Sequence, residues 1–395
     1  MSKINELINK LCPNGVRYNQ LSEIGNQFSG LSGKSKNDFE NGNCKYITYT
    51  NIYNNPSTNL DVEDYVQVKE NEKQNEIKYK DILVAGSSEN LEDSGMISVV
   101  TKEPNEKIYL NSFCFGFRLN DNFYDKYNPD FLKHLFRNKN FRNEIISCSF
   151  GVTRYNLSKE KFLKIKIPCP PLEVQEEIVK ILDKFGELEA ELEAELEARK
   201  SQYEFWRGRL LNKEYEIKFL PELATNLDNK RKPVTKSDRE SGNYPYYGAS
   251  GIVDYVSNYI FDDDLLLVSE DGANLKARST PIAFSSVGKV WINNHAHVLK
   301  FDNMITQKYV EHYLNMIDLN EYITGATQPK LNQENLNKIR INIPSSIEEQ
   351  EKVVIALERF DKLINDINIG LPAEIELRRK QYEYYRNKLL SFEEV

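Results

Sequence analysis

Cysteine, histidine and long apolar runs are all scarce in this chain of 395 residues. The five cysteines, Cys12, Cys44, Cys114, Cys148 and Cys169, are odd in number and form no C-x-x-C pair. That argues against a disulfide framework and a zinc knuckle, and for a reducing cytoplasm. Runs such as DILVAG and DLLLVS are strand-length, far too short to span a bilayer. The opening MSKINELINKL lacks the apolar core of a signal peptide. Also missing are a phosphate-cradling glycine loop, a catalytic-triad pattern and an Asn/Asp-Pro-Pro-aromatic methyltransferase motif.

A basic excess is missing too. The net charge is −8, an unpromising sign for a nucleic-acid binder. Its distribution changes that reading. Residues 173–200 hold ten Asp or Glu and four Lys or Arg, a net of −6, so the other 367 residues carry only −2. The acidity belongs mostly to one segment. Local basic stretches remain at DNKRKPVTKSDR (228–239) and SGKSKN (32–37).

What the chain has in abundance is itself, twice. ARKSQYEFWRGRLL (198–211) matches LRRKQYEYYRNKLL (377–390) at seven of 14 positions. Upstream, LEVQEEIVKILDKF (172–185) matches IEEQEKVVIALERF (347–360), and GVTRYNLSKEKFLKIKIP (151–168) matches GATQPKLNQENLNKIRIN (325–342). Fainter pairs keep the same order: DFLKHLF (130–136) with KYVEHYL (308–314), IYLNSFCFGFRL (108–119) with VWINNHAHVLKF (290–301), and YKDILVAG (79–86) with FDDDLLLV (261–268). The period is far too long for a solenoid. Two collinear units follow, each a domain with a helical segment after it. The helical segments agree better than the domains, as expected if the helices do one job twice and the domains do different jobs.

Between 172 and 211 the only glycines are Gly186 and Gly208, and proline is absent. Ile178, Leu182, Phe185, Leu188, Leu192, Leu196, Tyr203 and Leu210 recur at helical spacing. Forty residues predict a helix of roughly 60 Å. The second copy carries Val354, Leu357, Phe360, Ile364, Ile367, Leu371, Ile375, Tyr382 and Leu389. Each stripe is narrow and needs a partner, so the expectation is an antiparallel intramolecular coiled coil between the copies. Gly370 and Pro372 predict a kink or short break in the second copy. The run ELEAELEAELEA is built from strong helix formers. Each four-residue unit adds about one turn, roughly 6 Å, so even a bland spacer sets a distance.

The expected fold class is α/β. Two mixed α/β domains, 1–167 and 213–342, alternate with helical segments 168–212 and 343–395. Strand-like segments include CKYITYTNIY (44–53), KDILVAG, DLLLVSE and HAHVLKF; short helices are expected near 130–146 and 307–319. Between them lie loops rich in Asn, Ser, Gly, Lys and Tyr. Amides, hydroxyls and basic groups suit base edges and phosphates, and equally suit ordinary loops. His295 and His297 look like a metal pair, but their repeat partners are Phe113 and Phe115, which favours packing or a target-specific contact. His134 and His312 match each other inside helices and read as structural. Glu270-Asp271-Gly272 and Asp262-Asp263-Asp264 lack a nucleophile nearby and read as turn or strand-end residues.

These features together resemble the specificity subunit of type I restriction-modification systems. The helix starts IPCPPLEVQEEIVKILDKF and IPSSIEEQEKVVIALERF, the helix ends ARKSQYEFWRGRLL and RRKQYEYYRNKLLSF, and the ELEA spacer carry the likeness. GLSGKSKNDF, CKYITYTNIY, NSFCFGFRL, GVTRYNLS, GNYPYYGASG, NNHAHVL and GATQPKLN extend it over essentially the whole chain. IPSSIEEQ departs by lacking the double proline, and FWRGRLL by carrying Gly208 within the helix, where it would loosen that end.

The resemblance implies a non-catalytic, cytoplasmic DNA-binding subunit whose domains each read half of a split double-stranded target. The repeated helices would fix the unread gap and dock two modification subunits in a near two-fold scaffold. Those subunits, not this chain, would bind S-adenosylmethionine, flip out adenines and supply much of the positive charge around DNA. Motor-nuclease subunits join some such complexes. The implied DNA-reading positions in the first domain are Lys34, Lys36, Tyr49, Asn51, Ser87, Ser88, Arg154 and Tyr155. Those in the second are Lys230, Lys232, Tyr246, Tyr247, Ser250, Lys276, Arg278, Gln328 and Lys330. The implied coiled-coil and partner positions are Ile178, Leu182, Phe185, Leu192, Leu196, Leu357, Phe360, Ile364 and Leu389, with Tyr203, Trp206, Tyr382 and Tyr385 as anchors. Two other readings stay open: a coiled-coil scaffold with two protein-binding domains, and a metal-dependent hydrolase built on His295.

Overall fold

The computed structural model describes residues 2–325 and 327–395. The chain divides into two compact units, residues 1–191 with 375–395, and residues 192–374. Among the described residues no helix is long and apolar enough to cross a membrane, and the five cysteines are free.

Each unit is built on the same antiparallel four-stranded sheet. In the first, Gly25–Ser29 lies beside Cys114–Leu119, then Ile82–Ala85, then Ile97–Val99. In the second the order is Ala224–Asn226, Ala296–Phe301, Leu265–Ser269 and Ala283–Ser286. The inner strands Ile82–Ala85, Cys114–Leu119, Leu265–Ser269 and Ala296–Phe301 are short, largely apolar runs covered on both faces. Ile82, Val84, Phe115 and Phe117 face a large core with Phe131, Leu135, Ile178 and Leu182. Leu83, Ala85 and Cys114 face a smaller one with Ile47, Ile52 and Ile108. The second unit divides Leu266 and Val268 from Leu265 and Leu267 in the same way. A second sheet in each unit, three-stranded in the first and four-stranded in the second, is built around a parallel pair, Cys44–Ile47 with Ile108–Leu110 and Ser241–Gly248 with Lys289–Ile292.

The structure corrects one repeat alignment. Ile82 opposes Phe117, and Leu266 opposes Leu299. Phe117 and Leu299 are repeat partners, so Ile82 corresponds to Leu266, an offset of 184 where the sequence alignment used 182. A two-residue slip preserves the side-chain alternation, which is why the pattern alone does not reveal it. A second correction concerns CKYITYTNIY. Only Cys44–Ile47 is a strand; Tyr49–Asn54 is a short helix, started by Thr48, whose hydroxyl accepts the Asn51 N–H at 3.3 Å. The segment near 130–146 is two helices, Pro129–Leu135 and Lys139–Ser147.

The long helix runs Leu172–Leu211, 40 residues as the stripe predicts. Its first part belongs to the first unit and packs antiparallel on the C-terminal helix Leu371–Leu389. Phe185 lies against Tyr382 and Tyr385, ring centroids 6.3 and 5.3 Å away, and Glu189 pairs with Arg379 at 2.6 Å. Partner numbers fall as helix numbers rise. Its later part belongs to the second unit, where Tyr203 meets Phe360 at 6.3 Å and Leu196 joins the core of Leu357 and Ile364. The second copy is interrupted, as expected, between Ile347–Asn365 and Leu371–Leu389. Gly370 is required there: a Cβ would come within 2.7 Å of the Lys362 and Asp366 carbonyl oxygens.

The repeated glutamine after the helix start is a buried latch. Gln175 donates to the Pro170 and Lys126 carbonyls at 2.7 and 2.8 Å and accepts the Asn128 N–H at 2.8 Å. Gln350 donates to the Pro344 carbonyl at 2.7 Å and accepts the Thr306 hydroxyl at 2.8 Å. Leaving such groups unpaired costs about 1–3 kcal/mol each. Gln175→Leu is therefore expected to destabilise the first unit by about 3 kcal/mol, and Gln350→Leu the second by less. Urea unfolding followed by circular dichroism checks the order.

Candidate nucleic-acid interface

At the end of the central strand each unit makes the same loop junction. In the first, Gly86 N–H donates to the Phe113 carbonyl and Leu157 N–H to the Gly86 carbonyl, both at 3.0 Å. Ser87 and Ser88 then pair with Asn156 and Tyr155. In the second, Glu270 N–H donates to His295 at 2.9 Å, Leu331 N–H donates to Glu270 at 2.8 Å, and Asp271 pairs with Lys330. The turns feeding these pairs need glycine. Gly151 and Gly325 have φ of +125° and +84°, and an added Cβ would strike the carbonyl oxygens of Arg154 and Gln328.

One backbone frame thus presents different side chains at matching places. In the first unit Phe113 is 62% exposed, and the Arg154 guanidinium lies 5.5 Å from its ring centroid. Arg154 also donates to the Ser87 hydroxyl at 3.0 Å. These residues and Ser88 border a cavity of about 580 Å³ whose other wall is Tyr49 stacked on Tyr53 at 6.3 Å. In the second unit the Phe113 place is taken by His295, whose Nδ1 lies 2.8 Å from Asp271 Oδ2. The Arg154 place is taken by exposed Gln328, next to Lys330, whose ammonium pairs with Glu270 at 3.1 Å.

Of the other implied positions, Lys36, Lys230, Lys232, Ser250 and Lys276 are exposed, and Tyr155 is half-buried in the loop pairing. Tyr247 stacks on Phe284 at 6.1 Å. Four positions are corrected, because their polar groups are used internally. Lys34 donates to the Gln67 carbonyl and to Glu72, both at 2.6 Å, and with Gln74 it holds the Glu72 carboxyl down at about 2. Asn51 is buried and bridges to both backbone groups of Asn59. Tyr246 is core, its hydroxyl on Val234. Arg278 reaches the carbonyls of Leu314 and Ile317 at the end of helix Met304–Met316.

His297 is buried. Its Nδ1 faces Asp228 Oδ2 at 2.6 Å and its Nε2 the Leu331 carbonyl at 2.7 Å. Each ring nitrogen thus faces an oxygen of the protein. Asp228, Glu270 and His297 are the one cluster with metal-ligand spacing among the described residues. Arg231 donates to Glu270 at 2.6 Å and lies 3.5 Å from Asp228, so the carboxylates are already neutralised by cations. Burial works against the Asp228 charge, but the His297 hydrogen bond and neighbouring cations hold its carboxyl below the usual range. This is a packing network under the Leu331 loop.

On the helices, Ile178, Leu182, Phe185 and Leu389 pack in the first unit, and Leu196, Leu357, Phe360 and Ile364 in the second; Leu192 is half-buried. Tyr203 and Tyr382 are taken up by contacts within their own units. Tyr203 is buried, and Tyr382 meets His134 Nδ1 at 3.0 Å while His134 Nε2 meets Asp183 at 2.8 Å. Burial pushes the His134 ring down. Trp206 and Tyr385 are half-buried. The aromatics that face outward are their neighbours Phe205 and Tyr384, 60% and 59% exposed at matching repeat positions. Sequence reasoning missed these two, along with Phe113 and Tyr53. The signal for Phe113 was its pairing with a histidine, an apolar-to-polar change inside a shared frame.

A family model described as the type I restriction modification DNA specificity domain matches residues 13–198 and again 212–377. The putative type I restriction enzyme specificity subunit S.HindORF215P of Haemophilus influenzae is 38% identical over 201 residues, 50% of this chain and 51% of that protein. The EcoR124I/EcoR124II specificity subunit of Escherichia coli is 35% identical over 257 residues, 58% of this chain and 63% of that protein. The chain thus spans about half the length of the first relative and under two thirds of the second. The crystal structure of the type I restriction-modification S subunit from M. genitalium matches 96% of this chain and 97% of that one, with TM-score 0.52 and 14% identity, a likeness of fold.

Proposed function

The chain belongs to the type I restriction-modification DNA specificity family, and from that premise we propose that it is the non-catalytic subunit that selects the DNA target of an adenine methyltransferase complex. Each unit reads one half of a gapped double-stranded sequence through the loops at its strand ends. The observation that carries this reading is the repeated junction: Phe113, Arg154 and Ser87 stand where His295, Gln328 and Asp271 stand in the other unit. A shared frame with exchanged donors, acceptors and apolar faces suits two different half-sites. Lys36, Lys230, Lys232 and Lys276 serve phosphates; Tyr49, Tyr155, Tyr247, Ser88, Ser250 and Lys330 flank base contacts.

The helices set the gap and dock two methyltransferase subunits, which bring S-adenosylmethionine. Co-expression with the methyltransferase partners, followed by genome sequencing for N6-methyladenine, tests the function. A split motif with a fixed gap, lost when this chain is deleted, is expected. Methylation independent of the chain sinks the reading and favours a protein-binding scaffold.

A further inference from the structure

The cavity beside Arg154 contains a carboxylate that the arrangement so far does not use. Glu89 borders it, is exposed, and makes no hydrogen bond or ion pair among the described residues. The neighbouring acid, Asp93, is different: it accepts from the Tyr53 hydroxyl and the Asn90 amide, both at 3.2 Å. A free carboxylate on a surface that meets phosphates is repelled unless a donor matches it.

The loop that carries Glu89 is held in place. Arg142 donates to the carbonyls of Gly95, Glu92 and Ser94 at 2.8, 2.9 and 2.8 Å. Arg137 donates to the Ile52 and Tyr53 carbonyls at 2.9 and 3.1 Å, fixing the opposite, aromatic wall. The Ser88 hydroxyl accepts the Asn90 N–H at 3.2 Å. The wall therefore offers an acceptor on a fixed support.

We propose that Glu89 is a specificity-determining residue of the first unit and accepts the exocyclic N4 amino group of a cytosine in the major groove. This rests on the DNA-reading function above. Cytosine is the base whose major-groove edge presents a donor alone; adenine pairs its N6 donor with the N7 acceptor, and guanine and thymine oppose a carboxylate with acceptors. Arg137 and Arg142 are positioning residues for this contact.

The test is methylation mapping of the full chain with its methyltransferase partners, in wild-type, E89A and E89Q forms. Wild type is expected to require cytosine, on one strand, at one position of one half-site. E89A is expected to relax that position by about tenfold in preference, and E89Q to shift it toward adenine, which a glutamine contacts through N6 and N7. The other half-site is the internal control and stays unchanged. An unaltered motif overturns the proposal, as does relaxation in both halves, or loss of all methylation in both variants while they still fold. If wild type itself produces no split motif, the DNA-reading function fails, a separate outcome from failure of Glu89.

Discussion

Replacing both Phe205 and Tyr384 with alanine is expected to abolish stable assembly with the methyltransferase subunits while leaving the chain folded. Both rings are about 60% exposed. Each sits on a repeated helix beside an aromatic neighbour, Trp206 at 5.4 Å and Tyr385 at 5.3 Å. A cation lies near each pair, Arg209 over Trp206 and Lys388 over Tyr384. Aromatic residues flanked by cations are what interface hot spots favour, and truncating one costs about 2 kcal/mol or more, roughly thirtyfold in affinity. Because the pair occurs twice, each single variant is expected to lose one docking site and the double variant both. Mass photometry of the mixed subunits reads the stoichiometry directly. Full assembly by the double variant would remove these residues from the interface.

Deleting one ELEA unit, residues 191–194, is expected to shorten the gap in the DNA target and leave both half-sites unchanged. The deleted residues span the division between the two compact units, which falls after Glu191. Four residues remove about 6 Å of helix, and DNA rises about 3.4 Å per base pair, so the gap should shrink by roughly two base pairs. Four residues also turn the helix about 40° past a full turn, which keeps Leu188 and Leu196 close to one stripe. Inserting a unit should lengthen the gap by the same amount. Sequencing of N6-methyladenine in a host carrying each length variant measures it. An unchanged gap would show that the tetrads do not measure distance.

Much of this architecture was legible in the residues, and the parts that were not share a cause. The helix Leu172–Leu211 and the interruption at Gly370 follow from local spacing and backbone chemistry, which a sequence states openly. The helix at Tyr49–Asn54 was hidden because its residues suit strands and a single Thr48 cap decides the matter. The fates of individual polar side chains were hidden more deeply. Lys34 is taken by Glu72, Asn51 by Asn59, Tyr246 by Val234 and Arg278 by Leu314, and only folding brings those partners into reach. A repeat shows that a position matters and not which way it faces, so nothing in the sequence sets outward-facing Phe205 and Tyr384 apart from Tyr203 and Tyr382.

The first unit is completed by residues 375–395, which contribute Leu389 and Leu390 to its core and pair Glu394 with Val16. The second unit, 192–374, is continuous. On the ribosome the order of completion is therefore reversed. The second unit has all its residues first, while the first must wait for 183 intervening residues (192–374) to be made, roughly 10–40 s at 5–20 residues per second. During that interval a partly built core is exposed to chaperones and proteases, and a nascent chain arrested before residue 375 would carry one finished unit and one open one.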